Sequence, residues 1–217
     1  QMGIDFMKSL GCKNIKEMRK LDWQTLRDEN DKLGFLRGFN ICTDGYVLPE
    51  EIDEMIVKGK MDDVDVIIGC TADEGANEKP PMFGSNTFAQ ARAFAKCQYL
   101  NGHKSSFVYV FDRKQPGDDA GVPHSCDNRY QFATLDGSWR PYTEEDRKLS
   151  EQMQKYWANF ARTGDPNGEG LPEWKSYDED ELVMKLCTDG SHMEDYDRAT
   201  DGKISALTDE IISQYRK

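Results

Sequence analysis

Apolar positions follow two rhythms along the chain, one helical and one strand-like. Ile4, Phe6, Met7 and Leu10 share a helical spacing that Gly11 ends, and Ile15, Met18 and Leu21 continue one. Thr43-Asp44-Gly45 marks a turn before Tyr46-Val47-Leu48-Pro49, and Glu50 to Lys58 reads as another short helix. The period changes at Val64-Asp65-Val66-Ile67-Ile68-Gly69, a β-branched and nearly continuous apolar run of the kind found in strands covered on both faces. A helix follows from about Ser85, with Phe88, Ala91, Ala95 and Tyr99 on one face and a stop at Asn101-Gly102. Phe107 to Phe111 is a second β-prone run. Strand, helix and strand in this order predict a parallel βαβ unit with a right-handed crossover.

The clearest helical pattern begins after Thr143, a good N-cap followed by Glu144, Glu145 and Asp146, and runs to Arg162-Thr163 before Gly164. Leu149, Met153, Tyr156, Trp157 and Phe160 form its apolar stripe, read as core packing. Asp165-Pro166-Asn167-Gly168 is a turn cluster, and Ile204, Leu207, Ile211 and Tyr215 space a final amphipathic helix. The fold class is therefore α/β, with parallel strands flanked by helices. Two strands alone would leave apolar edges, so the sheet is incomplete within this chain and its missing strands are expected from outside it.

Charge narrows the partners. With 217 residues, 40 acidic against 28 basic and a formal charge of −12, the chain repels phosphate backbones and anionic lipid headgroups. Nucleic acid is not an expected partner, and no apolar run is long enough to span a bilayer. A soluble protein is expected. The chain opens on Gln1 without a basic start or an apolar signal core, so the N-terminus of the gene product is expected elsewhere and the compartment is not specified. Cys12, Cys42, Cys70, Cys97, Cys126 and Cys187 are scattered, with no CxxC pair and no histidine at ligand spacing. Free thiols, a lean towards a reducing compartment, and no metal or cofactor are the expectations.

Two loops combine a strand end with reactive groups: Gly69 to Gly75 after the first run, and Gly117 to Ser125 beyond the second. A carboxylate after one strand and a histidine after the next fit the α/β-hydrolase order of nucleophile, acid, histidine. Order alone leaves open that His124 is a loop histidine without a role and that Glu74 is one more solvated acid. His103 follows a helix stop and His192 reads as part of a polar loop, so neither has comparable placement.

Longer motifs favour the chemical reading. Thr71-Ala72-Asp73-Glu74-Gly75 is similar to the T-x-D-E-G segment of type-B carboxylesterases and cholinesterases, and Ala120-Gly121-Val122-Pro123-His124 resembles their G-A-x-H segment. Tyr156-Trp157-Ala158-Asn159-Phe160-Ala161-Arg162-Thr163-Gly164-Asp165-Pro166-Asn167 is close to the family's Y-W-x-N-F-A-x-T-G-D-P-N string, with Trp174 following. Asp44-Gly45-Tyr46-Val47-Leu48-Pro49 resembles its D-G-x-x-L-P segment. The likeness covers nearly the whole chain in order and is nearest to bacterial para-nitrobenzyl-esterase-type members.

The resemblance implies that residues 1–217 are the C-terminal portion of a single carboxylesterase domain, with accessory helices and loops over 1–60 and the sheet strands, acid and histidine loops and long helix over 61–217. It implies hydrolysis of small carboxylic esters through an acyl-enzyme, with Glu74 and His124 as two members of a Ser-His-Glu triad and Asp73 as a neighbour outside it. No G-x-S-x-G and no H-G-G-G occurs in the chain, so the nucleophile and oxyanion loop would belong to an upstream half, and the chain alone is expected to be inactive. Three departures bear on the pocket. Asp127 stands where Glu is common, Asn128 and Arg129 where apolar residues are usual, and the 50 residues from Glu74 to His124 imply a reduced lid. The rivals are a non-catalytic cholinesterase-like binding or adhesion module and an independent α/β binding domain.

Overall fold

The computed structural model describes residues 2–33, 43–74, 87–195 and 203–215. The chain divides into two compact units, Gln1–Glu51 and Ile52–Lys217.

In the first unit, helices α1 (Met2–Ser9), α2 (Ile15–Met18) and α3 (Trp23–Leu33) follow one another. Gly11 ends α1 in the left-handed region at φ +68, and Asn14 caps α2 by accepting the Glu17 amide at 3.0 Å. The turn at Thr43-Asp44-Gly45 is built by Asp44, whose Oδ1 accepts the amides of Tyr46, Val47 and Leu48.

The second unit holds a four-stranded sheet in the order β1 (Val66–Thr71), β2 (Ser106–Phe111), β3 (Val183–Leu186) and β4 (His192–Glu194). The β1 and β2 strands are parallel, with Val66 opposite Ser106 and Thr71 opposite Phe111. Helix α5 (Thr87–Leu100) lies between them in sequence. Gly69 permits their close approach, because a Cβ there would sit 2.2 Å from the Tyr109 carbonyl oxygen.

Four expectations about the strands need correction. The first strand starts at Val66, two residues late, because the ladder to β2 begins there and Val64 is exposed. It is not covered on both faces: Val66 to Gly69 are half-buried, since β1 is the outer strand among those described. Not every missing strand lies outside the chain: β3 adds parallel to β2, and β4 pairs antiparallel with β3. His192 belongs to β4, opposite Lys185, rather than to a polar loop.

The sheet is sandwiched between helices. Phe107, Tyr109 and Phe111 of β2 face a core shared with Leu149, Met153 and Tyr156 of α7 (Glu144–Thr163), while Val108 and Val110 face Phe88 and Ala95 of α5. The α7 helix obeys its sequence signals. The Thr143 amide is capped by Asp146 Oδ2 at 2.8 Å, and Gly164 closes the helix at φ +79. Trp157 and Phe160 are only half-buried, packed against the rim of this core. Trp174 is fully buried against it and donates its indole N–H to the Val108 carbonyl at 3.2 Å. Tyr99 of α5 is exposed at 44 %, outside the buried face. Helix α4 (Ile52–Val57) and helix α8 (Lys203–Tyr215) pack on α5, where Val57 and Ile212 are buried with Ala93 and Cys97. In α8, Ile211 is half-buried beside the buried Thr208 and Ile212, and the side chains of Ile204, Leu207 and Tyr215 lie outside the described residues.

Candidate active site

The parallel pair of β1 and β2 delivers both reactive loops to one end of the sheet. After β1 the chain turns at once: the Ala72 amide donates to the Phe111 carbonyl at 2.9 Å, and the Glu74 amide donates to the Thr71 carbonyl at 3.2 Å. After β2 a longer loop runs outward and returns through Gly121, whose carbonyl accepts the Gln115 amide at 2.7 Å, and it then climbs to His124. Short helix α6 (Asn128–Gln131) follows.

Glu74 and His124, 50 residues apart in sequence, meet there through Glu74 Oε1 and His124 Nδ1. The carboxylate is divided between two duties, because Glu74 Oε2 accepts the Thr71 hydroxyl at 2.7 Å and the Thr71 amide at 3.2 Å. Its side chain is 11 % exposed whereas that of His124 is 51 % exposed, so a fixed acid holds one nitrogen of a solvent-facing ring. That bond engages Nδ1 and orients the ring. Gly75 lies outside the described residues.

Asp73 is part of the same junction. Its Oδ2 accepts the Val122 amide at 2.7 Å, its own amide donates to the Val122 carbonyl at 3.2 Å, and Gly121 at φ +70 leaves room for the carboxylate. Ser125, directly after the histidine, adopts φ +65, a left-handed conformation that bends the chain back towards α6.

A cleft of about 370 Å³ opens beside the pair, lined in part by Cys70, Thr71, Tyr109 and Asp127. Burial pushes the Cys70 and Cys126 thiols up to about 12, which favours the protonated thiol at neutral pH. Asp127 accepts the Tyr109 hydroxyl at 3.0 Å and the Gln131 amide at 2.9 Å on the same oxygen. Burial raises its pKa, and the neighbouring Glu74 charge adds to the rise. Tyr109 is raised in turn, first by burial and then by Asp127.

The other histidines sit apart. His103 Nδ1 bonds Gln98 Oε1 at 2.7 Å beyond the end of α5, and His192 bonds the Gly190 carbonyl and Glu194. Among the described residues no group of three His, Cys, Asp or Glu could hold a metal ion, and no helix is long and apolar enough to cross a membrane.

Sequence reasoning singled out the pair and passed over its supports. Thr71 and Asp73 stand inside the quoted T-x-D-E-G segment, so position was the available signal, but Asp73 binds the backbone of Val122 and Thr71 donates its hydroxyl and amide to Glu74.

The carboxylesterase family model matches residues 81–204, more than half of the chain and inclusive of the histidine loop, α7 and the sheet strands after β1. The chain belongs to the carboxylesterase family. Carboxylesterase 5A of Canis lupus familiaris is 52% identical over 68 residues, which are 29% of this chain and 12% of that protein. Liver carboxylesterase 1 of Oryctolagus cuniculus is 67% identical over 44 residues, 20% of this chain and 8% of that protein. The structure of a PNB esterase aligns with a TM-score of 0.75 at 21% identity, over 92% of this chain and 52% of that one. The fold is accordingly a partial α/β-hydrolase, and the chain spans about half the length of the solved esterase it matches.

Proposed function

We propose that this chain is the C-terminal portion of a serine carboxylesterase, in which Glu74 and His124 complete a triad with a serine carried by an upstream half. The observation that carries the reading is the hydrogen bond between Glu74 and His124, which joins the loops that follow two adjacent parallel strands across 50 residues of sequence.

In this reading His124 Nε2 takes the hydroxyl proton of the serine as its oxygen attacks the carbonyl carbon of a small carboxylic ester. The imidazolium so formed is stabilised by Glu74, and it returns the proton to the leaving alcohol as the acyl-enzyme forms. Water, deprotonated by the same nitrogen, then releases the acid. The cleft beside the pair supplies one wall of the substrate pocket, and no cofactor takes part.

The upstream half would add alongside the outer edge of β1, where the half-buried residues 66–69 leave apolar surface that the described strands do not cover. A chain with no G-x-S-x-G sequence is expected to hydrolyse nothing alone. The retained acid and histidine weigh against a purely adhesive role, because binding requires neither.

The test is to express this chain joined to its upstream half and measure hydrolysis of para-nitrophenyl acetate. His124→Ala is expected to lower kcat by about 10⁶-fold, the scale of a triad-histidine loss in a serine protease. Full activity in that variant would overturn the proposal.

A further inference from the structure

Among the described contacts, two fasten the acid loop to the histidine loop, and one of them is the Glu74–His124 bond. The other is Asp73. Its amide donates to the Val122 carbonyl at 3.2 Å, and its Oδ2 accepts the Val122 amide at 2.7 Å, closing a ring between the two loops. Val122 is 1 % exposed, so its amide has no ready access to water and depends on that carboxylate oxygen. The partner loop is shaped for the contact. A Cβ on Gly121 would lie 2.3 Å from Asp73 Oδ2, and the residue's φ of +70 is one that a side chain resists.

The clamp lies one residue before Glu74 on one loop and two residues before His124 on the other. From Val122 the chain passes through Pro123, whose ring stiffens the backbone at the last step to the histidine. The loop is also held from its far side, where Arg140 grips the Asp118 carboxylate through both terminal guanidinium nitrogens and bonds the Pro116 carbonyl at 2.9 Å. Its near side has Asp73.

We infer that Asp73 is a positioning residue for the esterase reaction: it latches the backbone at Val122 and so sets the reach of His124 towards Glu74 and the substrate. The inference rests on the reading of His124 as the general base. Asp73 touches no reacting atom. Its contribution is geometric, and displacing a catalytic group by about 1 Å can cost 10²-fold in rate.

The acceptor oxygen rather than the charge does this, so Asn and Ala should behave differently. Asp73→Asn keeps an oxygen for the Val122 amide and is expected to hold kcat within about fivefold of the parent. Asp73→Ala removes it and is expected to lower kcat by about 10- to 100-fold, with KM changed less than about threefold and hydrogen exchange at the Val122 amide accelerated. Gly121→Ala displaces the carboxylate from the other side and should reproduce the kcat loss. All three are made in the chain joined to its upstream half and assayed on para-nitrophenyl acetate beside His124→Ala. Parent-level kcat in Asp73→Ala, or an equal loss in Asp73→Asn, overturns the latch while an inactive His124→Ala leaves the general base standing. An active His124→Ala overturns both. Should Asp73→Ala not accumulate as folded protein, the first two outcomes are read from the other pair: Asp73→Asn near parent with Gly121→Ala impaired supports the latch, and the reverse overturns it.

Discussion

Two regions show how differently scaffold and chemistry are written into this chain. The segment from Tyr156 to Trp174 is the longest recognisable string in the sequence, and it is almost entirely structural. Asn167 accepts the Trp174 amide at 2.7 Å and donates to the Trp174 carbonyl at 2.9 Å, and Asn159 donates to the Pro166 and Asn167 carbonyls. Those bonds seat the fully buried Trp174 edge-on to Phe107, Tyr109 and Tyr156. The junction of the acid and histidine loops, by contrast, rests on a handful of polar contacts around a half-exposed ring. Many residues are needed to pack one indole, and few to aim one imidazole.

The same division separates two buried aspartates. Burial alone would raise Asp146, yet hydrogen bonds from Arg113, the Thr143 amide and Tyr130 hold it down at about 2. Burial raises Asp127 as well, and there its bonds from Tyr109 and Gln131 bring no cation, so it stays up. A carboxylate paired with Arg113 at 2.6 Å anchors the start of α7, whereas one without a cation lines the cleft.

The comparison breaks if the two regions do not respond separately. In the protein joined to the proposed upstream half, Glu74→Gln is expected to lower kcat on an activated ester by about 10⁴-fold, the scale of a triad Asp→Asn change, with the thermal midpoint shifted by only a few degrees. Trp174→Ala should do the reverse. It is expected to cost about 3–5 kcal/mol of stability in denaturant titration, while kcat per folded molecule falls far less than in Glu74→Gln.

Asp146→Asn should cost roughly 3 kcal/mol, because it leaves the Arg113 guanidinium partly buried without its counter-charge. The pH dependence follows from the lowered value. Stabilisation by Asp146 is complete above its ordinary 3.8 and is lost as pH falls from there through about 2, so acid unfolding should begin at higher pH in the variant.

Asp127→Asn is the smallest expected effect and has the opposite sign. With its pKa raised, the folded state favours protonated Asp127, and that preference is lost as pH rises through the folded value. Asn keeps an acceptor for Tyr109 and carries no charge. It should raise stability at neutral pH by up to about 1 kcal/mol, a gain that disappears below pH ~4 in melts run across pH.

Much of the scaffold was legible because it is periodic. The α7 stripe, its Thr143 start and Gly164 stop, and the β2 run all appear where the spacing of apolar residues and caps puts them. Four-residue β3 and three-residue β4 were not, because Lys185, His192 and Glu194 interrupt the apolar pattern and length is too short for a period to show. The burial of β1 was overestimated, since an apolar run reports what a strand would bury, not what lies beside it.

At the proposed site, the meeting of Glu74 with His124 was legible through motifs in the loops after β1 and β2. Asp73 was passed over as a bystander, because its partner is the amide of Val122 and every residue but proline has that group. Thr71 was missed for a related reason: its hydroxyl and amide hold Glu74 only once the turn after β1 has folded.

The central claim is that Glu74 works through His124, and a double-mutant cycle in kcat on para-nitrophenyl acetate tests it most directly. If the two act as one unit, Glu74→Gln made in the His124→Ala background should cause less than about a threefold further loss, although alone it costs about 10⁴-fold. Losses that multiply, with the double variant falling a further 10³-fold or more below His124→Ala, would contradict the claim that the bond between them is what Glu74 contributes.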